Sequence, residues 1–219
     1  MAQNNTSSQA KILELYRVAL SNVENQEEIA SIMTELGYDS TVIEEGKALL
    51  EETRNAYDFN KTEDDETAAA YAHFTNKKEE LDLMYRLHRK KAKVVFRNDD
   101  LTANRLKLTG SLPQAYVKWL ETISTFYTEA SGDAEIQNKL ARLKISAEDL
   151  TAGNTLVEEI KTARAEYLKE KGESQDATKA KDAAFAKIDD WMSEFYAVAR
   201  IGLEDKPQLL EALGKVVKS

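Results

Sequence analysis

The sequence predicts an all-α chain, a tandem-duplicated antiparallel helical bundle with two similar halves of about 107 residues. Three observations carry that prediction. Only two prolines and eight glycines occur in 219 residues, and hairpin-rich β architectures need those residues as punctuation. Apolar residues recur at helical spacing along most of the chain, as they do where one helix face meets a core. Sliding the sequence on itself so that Gly46 meets Gly153, an offset of 107, registers the halves without a gap.

At that offset Lys11, Leu13 and Glu14 meet Lys118, Leu120 and Glu121, and Glu51-Glu52 meets Glu158-Glu159. Apolar residues exchange for apolar ones at Ile43/Leu150, Leu50/Val157, Leu81/Ile188, Met84/Trp191, Val94/Ile201 and Phe96/Leu203. Unrelated helices share a period easily, but they seldom share phase over such a length. The division is into helical repeats at 3–109 and 110–216, joined at Thr109-Gly110-Ser111. Whether they pack as one bundle or two is left open.

The elements follow in order. A first helix is expected over Gln9–Glu24, matched by Leu112–Ala130, and a short one over Gln26–Leu36, matched by Ala134–Leu143. Asn25 and Gly132-Asp133 supply the breaks between them. The third helix starts after Asp39 or Ser146, each a good acceptor for exposed backbone N–H groups. Tyr38 and Ile145 precede these caps and Ile43 and Leu150 follow them, the arrangement of a hydrophobic staple. Polar turns near Lys61–Asp64 and Glu170–Glu173 should then separate it from a long helix, Asp65–Arg97 or Ser174–Gly202. A last short helix covers Asp100–Leu108 and Lys206–Val217, the second copy opening at Asp205-Lys206-Pro207-Gln208. The core should contain Leu49, Leu81, Met84, Leu156, Ile188, Trp191 and Phe195.

Composition then narrows the function. With no cysteine, disulfides, thiolate nucleophiles and thiolate metal sites are ruled out. The first ten residues have neither the basic start nor the apolar stretch of a secretory signal. No run reaches the roughly 18 apolar residues of a membrane span, so a cytoplasmic location is expected. A net charge of −9 weighs against wholesale nucleic-acid binding. Neither His73 nor His88 follows a Glu at the spacing that di-metal bundles use. Zincin, phosphate-loop and nucleophile-elbow motifs are absent as well, so no cofactor or metal is expected. The acidic clusters Glu44-Glu45, Glu51-Glu52 and Glu63-Asp64-Asp65-Glu66 read as solvated helix surface, the last partly as helix-start charge.

Two features remain. His88 shares a helix face with Leu81, Met84, Ala92 and Val95, and stands where the other repeat has Phe195. It reads as a partly buried, hydrogen-bonded ring, or alternatively as the titratable group of a ligand-binding or enzymatic cavity. Arg86, Arg89, Lys90, Lys93 and Arg97 follow i, i+3, i+4, i+7, i+11 spacing and share the opposite face. The matching positions Ser193, Tyr196, Ala197, Arg200 and Glu204 form no such stripe. The stripe reads as a solvated face, or one balanced by the chain's own carboxylates, or alternatively as the candidate partner-binding surface, projecting to solvent towards an acidic protein, a nucleic-acid backbone or an anionic surface.

The closing segment Val198-Ala-Arg-Ile-Gly-Leu-Glu-Asp-Lys-Pro-Gln-Leu-Leu-Glu-Ala-Leu-Gly214 resembles the C-terminal signature of uncharacterised bacterial helical proteins. The resemblance implies a helical fold and assigns no site residue. The leading functional expectation is a non-enzymatic helical interaction or scaffold module with a protein partner or a second copy of itself.

Overall fold

The computed structural model describes residues 3–214, and every regular element among them is a helix. In chain order these are α1 (Gln3–Asn25), α2 (Glu27–Glu35), α3 (Ser40–Val95), α4 (Asp100–Arg105), α5 (Tyr116–Ser131), α6 (Ala134–Ala141), α7 (Ala147–Gly202) and α8 (Leu209–Ala212). Residues 215–217 of the expected last helix lie outside the described residues.

The two long helices start where their caps dictate. Asp39 Oδ1 accepts from the backbone N–H groups of Thr41 and Val42 at 2.9 and 3.1 Å. Ser146 Oγ accepts from Asp149 N–H while Asp149 Oδ2 accepts from Ser146 N–H, a reciprocal box that satisfies two otherwise orphaned donors. Tyr38, Ile43, Ile145 and Leu150 are all buried, as the staple requires.

Neither expected mid-chain turn exists. Helices α3 and α7 each run unbroken for 56 residues, straight through Lys61–Asp64 and Glu170–Glu173. The reason is local. Neither stretch contains a proline, Thr62 and Asp64 cost less than about 1 kcal/mol each in a helix, and the single Gly172 costs only about 1 kcal/mol relative to Ala. Other boundaries shift more modestly. Helix α5 starts at Tyr116 rather than Leu112, after the chain passes Pro113, and α8 begins at Leu209 beyond a turn.

The chain forms two compact units, and they do not follow the 3–109 and 110–216 division. The first combines residues 1–64 with 173–219, and the second is residues 65–172. Because α3 and α7 continue unbroken, each contributes one half to either unit.

In the first unit α1, the N-terminal half of α3 and the C-terminal half of α7 form a three-helix bundle, with α2 and α8 at one end. Its α3 and α7 halves run antiparallel. Tyr38 packs edge-on to Trp191, Thr53 Oγ1 donates to Ala184 O at 3.2 Å, and Asn60 Nδ2 donates to Thr178 Oγ1 at 3.0 Å. Ile29, Met33, Ile188, Met192, Phe195 and Leu203 fill the interior.

In the second unit α5 and the remaining halves of α3 and α7 repeat this plan, with α6 and α4 at one end. Here Thr67 Oγ1 donates to Glu170 O and Lys77 pairs with Glu159 at 2.8 Å, so these halves are antiparallel as well. Leu81, Tyr85, Phe96, Phe126, Tyr127, Leu140 and Ile160 form the core. Two glycines permit close approach. A Cβ on Gly46 would lie 2.4 Å from the Trp191 ring, and one on Gly153 would lie 2.2 Å from the Tyr127 ring.

The core forecast needs adjusting at three positions. Leu81, Leu156, Ile188 and Phe195 are buried, whereas Leu49, Met84 and Trp191 are half-buried at the core margin. Val94 and Ile201, matched apolar positions, are both exposed, by 57% and 69%.

Candidate functional site

The C-terminal half of α3 presents its core face through Leu81, Tyr85, His88, Ala92 and Phe96, all buried. At 100° per residue the basic stripe centres roughly 115° from that face, with Arg89 nearest the core and Lys90 farthest from it. The structure divides that stripe by role. Arg86 is exposed and paired with Asp82 one turn earlier, a surface pair of small energetic value.

Arg89 does not project to solvent. It is half-buried, and its Nη2 donates to the carbonyls of Leu108, Thr109 and Gly110 at 3.1, 3.4 and 2.9 Å. It therefore fastens the segment between α4 and α5, satisfying carbonyl groups that no helix uses. Sequence spacing places Arg89 in the stripe but is blind to these acceptors some 20 residues downstream.

Lys90, Lys93 and Arg97 are exposed, and among the described residues no carboxylate lies within ion-pair distance of them. Partial desolvation, and then repulsion from Arg89, hold the Lys93 ammonium below its ordinary pKa. Leu83, Leu87 and Val94, each more than half exposed, flank these cations on the same outward face. The surface is thus an apolar strip beside a cationic one.

The stripe ends at a cleft of about 460 Å³, bounded by residues 94–99 and by Lys139, Arg142 and Leu143. Lys139 pairs with Glu135 at 2.7 Å and lies 3.8 Å from Asp99. Asp99 also caps α4 by accepting from Thr102 N–H, which keeps its carboxyl below the usual range. Arg97 and Arg142 remain as exposed cations at the cleft rim. Sequence reasoning missed Lys139, Arg142 and Leu143 because α6 joins this surface only through the fold.

His88 is 6% exposed, and its Nδ1 lies 3.1 Å from the Tyr127 hydroxyl. Burial lowers its pKa; the Asp149 carboxylate opposes that shift more weakly and Lys91 reinforces it. The ring serves packing and hydrogen bonding, with Tyr127 stacked edge-on against it. A stability consequence follows from the direction. The folded chain prefers neutral His88, while the unfolded chain takes up its proton near the ordinary value of about 6.5. Stability from this group is complete above that value and is lost as pH falls through it towards the depressed folded value. Between about pH 8 and pH 5.5, wild type should lose more stability than His88→Phe. Denaturation midpoints across that range measure the slope, and equal slopes would assign the titration elsewhere.

No family model matches the chain, and neither a curated protein nor a solved structure matches it. No helix among the described residues is long and apolar enough to cross a membrane.

Proposed function

We propose that this protein is a non-enzymatic, cytoplasmic helical interaction module, arisen by tandem duplication, that docks an acidic protein partner on the outward face of α3. One observation carries the reading. Lys90, Lys93 and Arg97 stand uncompensated beside exposed Leu83, Leu87 and Val94, in a chain whose net charge is −9. Apolar strips that a monomer leaves exposed often mark partner surfaces. A cationic rim beside such a strip favours acidic partners and speeds their encounter.

The duplication is supported by the long helices. Moving α3 (Ser40–Val95) by the same 107 residues gives the bounds of α7 (Ala147–Gly202). The order of short and long helices also recurs. In this reading the C-terminal part of each copy packs with the N-terminal part of the other, which explains why both units draw on both halves. The alternative of a cavity enzyme centred on His88 is disfavoured, because its ring is enclosed and already bonded to Tyr127.

Replacing Lys90, Lys93 and Arg97 together by Gln should leave the fold intact, each change costing less than about 0.5 kcal/mol at these exposed sites. It should reduce capture of the partner. The test is affinity capture from the native host with wild type and the triple variant, followed by titration of each purified candidate against both. The expected result is one acidic protein whose affinity falls with salt and with the triple substitution. Equal affinity for both forms would remove the stripe from the interface, and recovery of nucleic acid instead would replace the protein partner.

A further inference from the structure

The cleft at the end of the second unit has a counterpart of opposite charge in the first unit. Its walls are residues 94–99 against Lys139, Arg142 and Leu143. At positions 107 residues away stand Ile201, Gly202, Leu203, Glu204, Asp205 and Lys206, facing Ile32, Glu35 and Leu36. The same corner is built there. A Cβ on Gly202, which occupies the place of Val95, would lie 2.7 Å from Leu36 Cδ1 and 2.9 Å from Ile32 Cγ2.

The two corners share apolar character and differ in sign. The second unit offers exposed Val94 and Leu143 with Arg97 and Arg142, beside Asp99 and a Lys139 that Glu135 already engages. The first offers exposed Ile201 and Leu36 with Glu35, Glu204 and Asp205. Its cation Lys206 is engaged by Glu28, and Arg200 flanks Ile201 on the neighbouring face of α7. Arg97 is replaced by Glu204, Arg142 by Glu35, and Asn98 by Asp205. Such paired inversion around a centre that stays apolar is what complementary faces require, since attraction at the rim selects the unlike corner and repels the like one.

We propose that the occupant of the basic corner is a second copy of this chain, presenting its acidic corner. Ile201 and Leu36 of one copy cover Val94 and Leu143 of the next, with Glu35 and Glu204 opposite Arg97 and Arg142. The contact is heterologous, so a copy bound through one corner retains the other. This inference rests on the interaction reading above and names its partner.

Sedimentation of the full chain over a range of concentrations, at low and high salt, tests it. Mass should rise with concentration and fall back with salt. Arg97→Glu with Arg142→Glu should weaken self-association by about 100-fold, because like charges then face each other. Glu35→Arg with Glu204→Arg should do the same. Mixing the two variants restores a native basic corner on one chain and a native acidic corner on the other, and association should return. All four side chains are exposed, so unchanged melting midpoints show that the fold is intact. A wild-type chain that stays monomeric at every concentration would overturn the self-contact. If it still bound an acidic host protein through Lys90, Lys93 and Arg97, the broader interaction reading would survive. Association that persists in either variant alone, or fails to return on mixing, would overturn the assigned pairing.

Discussion

Trp191→Ala should destabilise the first unit by about 3–5 kcal/mol, although the side chain is only half-buried. Its ring is wedged between elements rather than laid on a surface. It stacks on Phe195 at 5.6 Å, meets Tyr38 edge-on at 5.8 Å, and closes over Gly46 so tightly that a Cβ there would fall 2.4 Å from it. Truncation therefore opens a void between α3 and α7 that backbone movement cannot readily close. The same geometry predicts the reverse change. Gly46→Ala should cost about 1–3 kcal/mol by overpacking, yet be nearly neutral or favourable in the Trp191→Ala background, where the methyl enters vacated space. Chemical denaturation of the four proteins gives the coupling directly. Additive effects would show that the indole and Gly46 are not in contact.

The caps were legible because they are local. Asp39 and Ser146 act within three residues, and the structure contains the capping bonds expected of each; the return bond from Ser146 N–H to Asp149 goes beyond that expectation. The apolar period was equally legible for Leu81, Ile188 and Phe195, which lie at the core. Polarity misled at Lys61–Asp64 and Glu170–Glu173, where charge density resembles a turn but no residue breaks the helix. Those stretches coincide with the limits of the compact units, so a change of partner along a helix passed for an interruption of it.

The candidate surface was legible in part for a related reason. Helical spacing places five cations on one face, but only the fold shows which of them have acceptors. Asp82 sits one turn away from Arg86 and was readable in principle. The carbonyls of Leu108 and Gly110, which engage Arg89, belong to a connection whose path depends on tertiary packing. Val94 and Ile201 misled in the opposite sense. Matched apolar residues suggest a shared core position, yet both are exposed, and each sits at a corner where the charges are inverted. Their apolar character therefore reports nothing about packing within either core.

Tyr127→Ala should be the most damaging change in the second unit, at about 3–5 kcal/mol from lost burial alone. The ring is fully buried, lies edge-on to Phe126, Tyr85 and His88, and would sit 2.2 Å from a Cβ on Gly153. Burial also raises its pKa far above the ordinary phenol value, so the hydroxyl stays protonated. Neutral His88 can accept that proton at Nδ1. Tyr127→Phe isolates this polar term, because it keeps the ring while leaving a buried imidazole nitrogen without its partner, at a cost of about 1–3 kcal/mol. His88→Phe strands the hydroxyl instead and should cost a similar amount. The double variant His88→Phe/Tyr127→Phe replaces both polar groups by apolar rings, as Phe195 does at the matching position of the first unit. It should therefore lose less than the sum of the two single changes. Urea denaturation at about pH 8, where His88 is neutral in both states, measures the cycle without a titration contribution. Strict additivity would mean that the 3.1 Å approach contributes nothing, and that Tyr127 holds the bundle through its ring alone.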